Sequence, residues 1–171
     1  MDRDGVINID HGYTYKINDF NLLDGVIEGL QAIAQLEYKI FIVTNQSGIA
    51  RGYYTEKDYK ILTAWMLERF VEEEIKITKV YYCPHHVGYT HECDCRKPQP
   101  GMILKAQEEF EIDLTQSKLV GDKVSDIKAG LLAGVRENYL VAVESPSLEN
   151  ISCQTIQRLL DLKHIDANKR V

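Results

Sequence analysis

Apolar residues at Val26, Leu30, Ile33 and Leu36 fall close to a 3.6-residue period, which predicts an amphipathic helix over residues 23–37. The pattern then changes to a short β-branched run, Ile40-Phe41-Ile42-Val43, as expected of a strand buried on both faces. Thr55 with Asp58 three positions on resembles a capping box, with Asp in the acidic place. The helix it would start puts Tyr59, Leu62, Met66 and Phe70 on one face. Trp65 and the methionines suit the core, and Glu72-Glu73-Glu74 reads as a solvated helix end. Further strands are predicted over 79–82, 118–120 and 139–143. A helix over 102–110 has Pro100 near its start, a small-residue helix runs through Ala133, and Ile156, Leu159 and Leu160 mark a last helix.

Strands alternating with helices at this spacing predict a parallel α/β sheet with right-handed crossovers. Ligands of such sheets sit at the carboxyl ends of the strands. Those are the positions where this chain has its polar clusters: Asp2/Asp4, Thr44-Asn45, Arg96-Lys97, and Asp122 with Asp126. There is no internal repeat, low-complexity tract or linker, so residues 1–171 are expected to form one domain.

Composition narrows the class. A hydrophobic content of 44% with 27% charged residues belongs to an ordinary globule with a core of its own. No run approaches the roughly 18 apolar residues of a spanning helix, and neither a basic segment nor an apolar signal core opens the chain, so a cytoplasmic protein is expected. The net charge of -6, with no Lys/Arg stripe, argues against nucleic acid and leaves room for a small anion in a local cationic pocket.

Asp2 and Asp4 are one residue apart, so on an extended backbone they address one space, and Gly5 lets the chain turn away. One aspartate can attack an electrophile while the other exchanges protons with the leaving group and then water. Taken alone, D-x-D-G also describes turns and calcium loops. Thr44 can equally end its strand, Asp122 cap a helix, Asp126 pair with a helix N-terminus, and Arg96 and Lys97 be solvated. The metal signal is sharper. Cys83-x-His85 and Cys93-x-Cys95 offer three thiolates and an imidazole, a set that fits tetrahedral Zn²⁺ with no open position and hence a structural role. His86 is an alternative imidazole donor and His91 a weaker one. Cys153 is most simply a small hydrophobe, and His164 carries no signal.

In order, D-x-D at Asp2 and Asp4, Thr44, Lys97 and G-D-x-x-x-D from Gly121 to Asp126 resemble the four motifs of the haloacid dehalogenase superfamily of phosphotransferases. D-R-D-G-V-I-N, D-H-G-Y, T-N-Q-S-G-I-A-R-G and C-P-H-H with C-D-C-R-K-P resemble one branch, the D-glycero-D-manno-heptose 1,7-bisphosphate 7-phosphatases. Histidinol-phosphate phosphatases share the metal loop and the core motifs. The resemblance implies a Rossmann-like three-layer sandwich with a mostly parallel sheet, a minimal cap and a zinc-stabilised loop. It implies Asp2 as nucleophile, Asp4 as acid and base, and Thr44 and Lys97 as stabilisers of the transferring phosphoryl group. Mg²⁺ would be held by Asp2, the Asp4 carbonyl and Asp122, with Asp126 behind them. Asp10, His11, Gly12 and Tyr13, Asn45, Gln46 and Ser47, Arg96 and Lys123 would contact substrate, and His85 becomes the preferred imidazole for zinc. The expected substrate is a sugar bisphosphate, used in nucleotide-heptose supply for lipopolysaccharide or another surface glycan, and a monomer is expected. Nucleic-acid and membrane partners are not.

Two departures matter. Relatives carry a hydrophobic strand leading into the first aspartate, whereas only Met1 precedes Asp2 here. The usual first central strand is thus largely absent, which predicts unpaired neighbours, an open groove and an unanchored nucleophile. The loop between His85 and Cys93 is also shorter than in relatives. Hydrolysis of histidinol phosphate, or silent sugar-phosphate binding, are the competing readings.

Overall fold

In a computed structural model that describes residues 1–142 and 151–162, strands and helices alternate as the hydrophobic pattern requires. The strands are β1 (Ile40–Asn45), β2 (Ile77–Cys83), β3 (Lys118–Gly121), β4 (Glu137–Val141) and β5 (Gln154–Ile156). The helices are α1 (Val26–Gln35), α2 (Glu56–Glu72), α3 (Gly101–Phe110) and α4 (Val124–Ala133). Every pairing between these strands is parallel: β1 with β2, and β4 with both β3 and β5. The α2 start is the capping box expected of Thr55, whose hydroxyl accepts the Asp58 N–H at 3.1 Å while Asp58 accepts the Thr55 N–H at 2.8 Å.

Alternation along the central strands sorts the core into two layers, because successive side chains leave opposite faces. Ile40, Ile42 and Val120 pack with Val26 and Leu30 of α1 and Leu62, Met66 and Phe70 of α2. Val43 and Leu119 face the other way, onto Met102, Ile103 and Ala106 of α3 and Ala129 of α4. Helices on both faces of parallel strands are the three-layer sandwich anticipated above.

The strands form two ladders rather than one, with a seam between β1 and β3. Met1 and Asp2 occupy the active-site end of that seam. The Val43 N–H donates to the Met1 carbonyl at 2.9 Å, and the Asp2 N–H to the Val120 carbonyl at 2.8 Å. Beyond them the seam opens into an apolar groove of about 420 Å³, lined by Ile40, Phe41, Ile103, Leu114 and Leu119 among others. The groove anticipated from the short start is present, but the nucleophile candidate is not adrift: its backbone is tied to both ladders.

One expected element is corrected. Ile156 lies in β5, and Leu159 and Leu160 lie in a 3₁₀ turn (Leu159–Asp161), so no α-helix covers them. Ile156 and Leu159 are buried all the same, since an extended segment followed by a tight turn also brings them to the α1 side of the core. Val143, the expected end of β4, and His164 lie outside the described residues.

Candidate active site and metal centres

The carboxyl ends of β1 and β3, with the loop after β2, supply the polar centre. Asp2 emerges from the seam, and its Oδ1 accepts the Arg3 N–H at 2.7 Å. Lys97 Nζ lies 2.9 Å from Asp2 Oδ1 and 2.7 Å from Asp126 Oδ1, and donates to the Val43 carbonyl at 2.7 Å. All three side chains are almost wholly buried. Burial opposes the charge on Lys97, yet the two carboxylates outweigh it and hold its pKa above the usual lysine range. Burial pushes the Asp2 carboxyl up, against the pull of Lys97. The Lys97 backbone is fixed by Asn45, which donates from Nδ2 to its carbonyl and accepts its N–H, both at 3.1 Å.

Asp122 and Asp126 come from the turn into α4. Asp126 Oδ2 accepts the Lys123 N–H at 3.0 Å, so one carboxylate both caps the helix and faces Lys97. The approach depends on two glycines. Gly5 has φ +83°, and a Cβ there would stand 2.3 Å from Asp122 Oδ2. A Cβ on Gly121 would stand 2.2 Å from that of Asp126. Burial, with the charges of Asp2 and Asp126 and against that of Lys123, pushes Asp122 up to about 6.

Asp4 is held by donors on all sides. Arg3 reaches it from Nη2 at 2.9 Å, Asn8 from Nδ2 at 3.0 Å and Gln46 from Nε2 at 3.1 Å. The same Gln46 amide donates to the Thr44 hydroxyl at 2.9 Å, and Tyr54 donates to the Gln46 carbonyl oxygen at 2.6 Å. Two sets of contacts result: Asp4 and Thr44 share the Gln46 amide, and Asp2 and Asp126 share Lys97 with an Asp122 oxygen close by. Beside them, Lys123 pairs with Asp10 at 2.8 Å, which brings the D-H-G-Y loop over the start of α4. His11, Gly12 and Tyr13 are exposed there, and the Tyr13 ring meets Tyr53 edge-on at 4.7 Å. Ser47 is half-buried in the turn after β1, where its carbonyl accepts the Arg51 N–H.

Three contributors were not singled out from the sequence. Arg3 is fully buried and clamps Asp4 while donating to the Thr14 carbonyl at 2.8 Å. Asn8 and Tyr54 complete the Asp4 and Gln46 contacts. The signal for Arg3 and Asn8 was their place inside D-R-D-G-V-I-N; Tyr54 had none.

Two donor clusters suit metal ions. One carboxylate oxygen from each of Asp2, Asp122 and Asp126 lies within 4.8 Å of the other two, and Asp122 Oδ1 is buried without a hydrogen-bond donor. A hard, oxygen-only set short of donors fits Mg²⁺. The second cluster is Cys83, His85, Cys93 and Cys95. Its donor atoms are spaced 3.0 to 3.7 Å apart through the measured pairs. A tetrahedron with Zn–S near 2.3 Å has edges of about 3.8 Å, so a small outward adjustment separates these atoms from a zinc shell. No disulfide links them. Burial and the facing thiols push Cys83 far up, the behaviour of crowded sulfurs without a cation. His86 instead turns towards Arg51, and His91 stacks obliquely on His85 at 5.2 Å.

Known proteins resemble this chain in sequence and in fold. The model of the polynucleotide kinase 3 phosphatase family matches residues 4–145. A Haemophilus influenzae protein named D-glycero-beta-D-manno-heptose-1,7-bisphosphate 7-phosphatase is 45% identical, over 96% of this chain and 94% of its own. A Campylobacter jejuni protein carrying the corresponding alpha-anomer name is 50% identical, over 84% and 81%. Among solved structures, a D,D-heptose 1,7-bisphosphate phosphatase from B. bronchiseptica, complexed with magnesium and phosphate, superposes with a TM-score of 0.88 at 24% identity, covering 98% of this chain and 96% of that one.

Proposed function

Because the chain belongs to the D-glycero-D-manno-heptose 1,7-bisphosphate 7-phosphatase family of haloacid dehalogenase-like phosphatases, we propose that it hydrolyses the C7 phosphate of D-glycero-D-manno-heptose 1,7-bisphosphate through an aspartyl phosphate. The observation that carries the reading is the Lys97 ammonium set between Asp2 and Asp126 beside an unpaired Asp122 oxygen. A lysine and a metal-ready carboxylate flanking one nucleophile suit the charge of a phosphoryl group in transfer.

An Asp2 oxygen attacks phosphorus as the bond to O7 breaks, and Asp4 gives its proton to the departing O7. Asp4 then takes a proton from water as that water attacks phosphorus. The Asp2–phosphorus bond breaks, and inorganic phosphate leaves. Lys97 and the Thr44 hydroxyl face the charge on the equatorial oxygens, while Arg3, Asn8 and Gln46 keep Asp4 aimed. Asp2, the Asp4 carbonyl and Asp122 would hold Mg²⁺, which when bound neutralises phosphate charge. Zinc on Cys83, His85, Cys93 and Cys95 would fix the loop that carries Arg96 and Lys97.

Phosphate release from a panel of sugar bisphosphates and histidinol phosphate, with Mg²⁺, tests the proposal. The heptose bisphosphate should be preferred, and Asp2→Asn should lower its turnover by at least about 10³-fold with the fold intact. Preference for histidinol phosphate, or normal turnover in Asp2→Asn, would refute it.

A further inference from the structure

Gln46 lies just past β1 and is almost wholly buried, at 2% exposure. Its backbone N–H donates to the Cys83 carbonyl at 2.8 Å, which pins it at the ends of β1 and β2. Its side-chain amide donates to Asp4 at 3.1 Å and to the Thr44 hydroxyl at 2.9 Å, and its oxygen accepts from the Tyr54 hydroxyl at 2.6 Å. An amide nitrogen has two hydrogens, so with both engaged inside the protein none is left for a sugar or phosphate oxygen. Having accepted from Gln46, the Thr44 hydroxyl still has its own hydrogen to give to another acceptor.

Tyr54 decides which way round that amide lies. Its ring is held on two sides: it stacks on Tyr15 with centroids 5.0 Å apart, and a Cβ on Gly48 would stand 2.1 Å from its Cε1. Burial pushes the phenol above its usual pKa range, so the proton it donates stays on it. Turned over, the Gln46 amide would set its oxygen against the Asp4 carboxylate and its nitrogen against the phenol. A buried acceptor would then face another acceptor with no hydrogen between them, and the donor on Tyr54 disfavours that state.

We infer that Gln46 and Tyr54 are positioning residues for the hydrolysis and that Gln46 is not a substrate contact. Tyr54 fixes the Gln46 amide, and the amide aims the Asp4 carboxylate at the departing oxygen while leaving the Thr44 O–H to point at the transferring phosphoryl group. Proton transfer and phosphoryl holding therefore depend on one side chain. This rests on the phosphatase reading above, and it withdraws Gln46 from the substrate contacts that the family resemblance implies.

The test measures kcat and KM for heptose 1,7-bisphosphate with Mg²⁺ in wild type, Gln46→Met, Gln46→Glu, Tyr54→Phe and the double variant Gln46→Met/Tyr54→Phe, with a melting temperature for each. In Gln46→Met, kcat and kcat/KM should fall together by about 30-fold with KM little changed, a part of the 10²–10⁴-fold that positioned proton transfer supplies. Gln46→Glu keeps the length and the acceptor for Tyr54 but loses the donor, so it should lose at least as much. Tyr54→Phe keeps the stacked ring and should lose about fivefold. Because Tyr54 acts through Gln46, the double variant should be no slower than Gln46→Met, whereas independent roles would multiply to about 150-fold. If Gln46→Met does not fold, Gln46→Glu takes its place in the cycle. A raised KM with unchanged kcat in the Gln46 variants would make Gln46 a substrate contact, near-normal kcat in Gln46→Glu would make it a matter of shape, and multiplying losses would separate Tyr54 from it; each overturns the inference alone. A wild type that releases no phosphate sinks the functional reading, and the inference with it.

Discussion

The carboxylate centre and the Cys/His loop lie within a few residues of each other at Cys95 and Lys97, yet they are built on opposite plans. In the loop, four donors face one point and nothing is left over, as in a closed metal shell. In the carboxylate centre, Asp2 and Asp126 share Lys97, Asp122 lies 3.4 Å from Lys123, and an Asp122 oxygen remains without a donor. The first arrangement holds shape; the second keeps charge in reserve for a ligand. Their juncture is Asn45, which grips the Lys97 backbone from the end of β1 and so transfers the order of the loop to the lysine.

The largest expected effect comes from removing the shared cation. Lys97→Met leaves Asp2 and Asp126 buried without a partner, which should cost about 3–5 kcal/mol in denaturant unfolding without Mg²⁺ and lower phosphate release about 10²–10³-fold. A stability change below 1 kcal/mol, on the scale of an exposed pair, would mean that the centre is not a strained buried cluster. Breaking the other region should be milder. Cys93→Ser should abolish zinc retention, measured by elemental analysis, loosen residues 83–97 and reduce turnover about tenfold, within the range for a disturbed supporting shell. Full activity without zinc would separate the loop from the lysine. The smallest effect sharpens the contrast through pH. Asp122 ionises near 6 in the fold and near 3.8 when unfolded, so the folded state binds the extra proton between those values. Its contribution to stability is therefore greatest at low pH and is lost as pH rises through about 6. In melting curves without metal, Asp122→Asn should exceed wild type by a few degrees above that pH, and Mg²⁺ should close the gap. A gap independent of pH would remove Asp122 from the reserve of charge.

Strand and helix positions were legible because their apolar periods are long enough to decide, as in Val26 to Leu36 and in the run at Ile40. The tail was not. Ile156, Leu159 and Leu160 span five positions, too few to tell a helix from a strand with a turn. Within the site, Asp2, Thr44, Lys97 and Asp122 were visible as an ordered set of motifs. The contacts that hold them were hidden, since Gln46 reaches Asp4 across 42 positions and Asn45 reaches Lys97 across 52. No local spacing encodes such pairs. Arg3 was masked by its type, because arginine is rarely buried without the bidentate partner that Asp4 provides.

The seam has a mechanical consequence. Lys97 is moored to Val43 on one ladder, Asp122 follows the other, and Asp2 is tied to both. A breathing motion that shears the ladders by a fraction of an ångström therefore retunes the distances over which phosphorus must travel. The apolar groove runs along that line, so hydrostatic pressure, which acts on packing volume, is the variable that should detune catalysis well before it unfolds the chain.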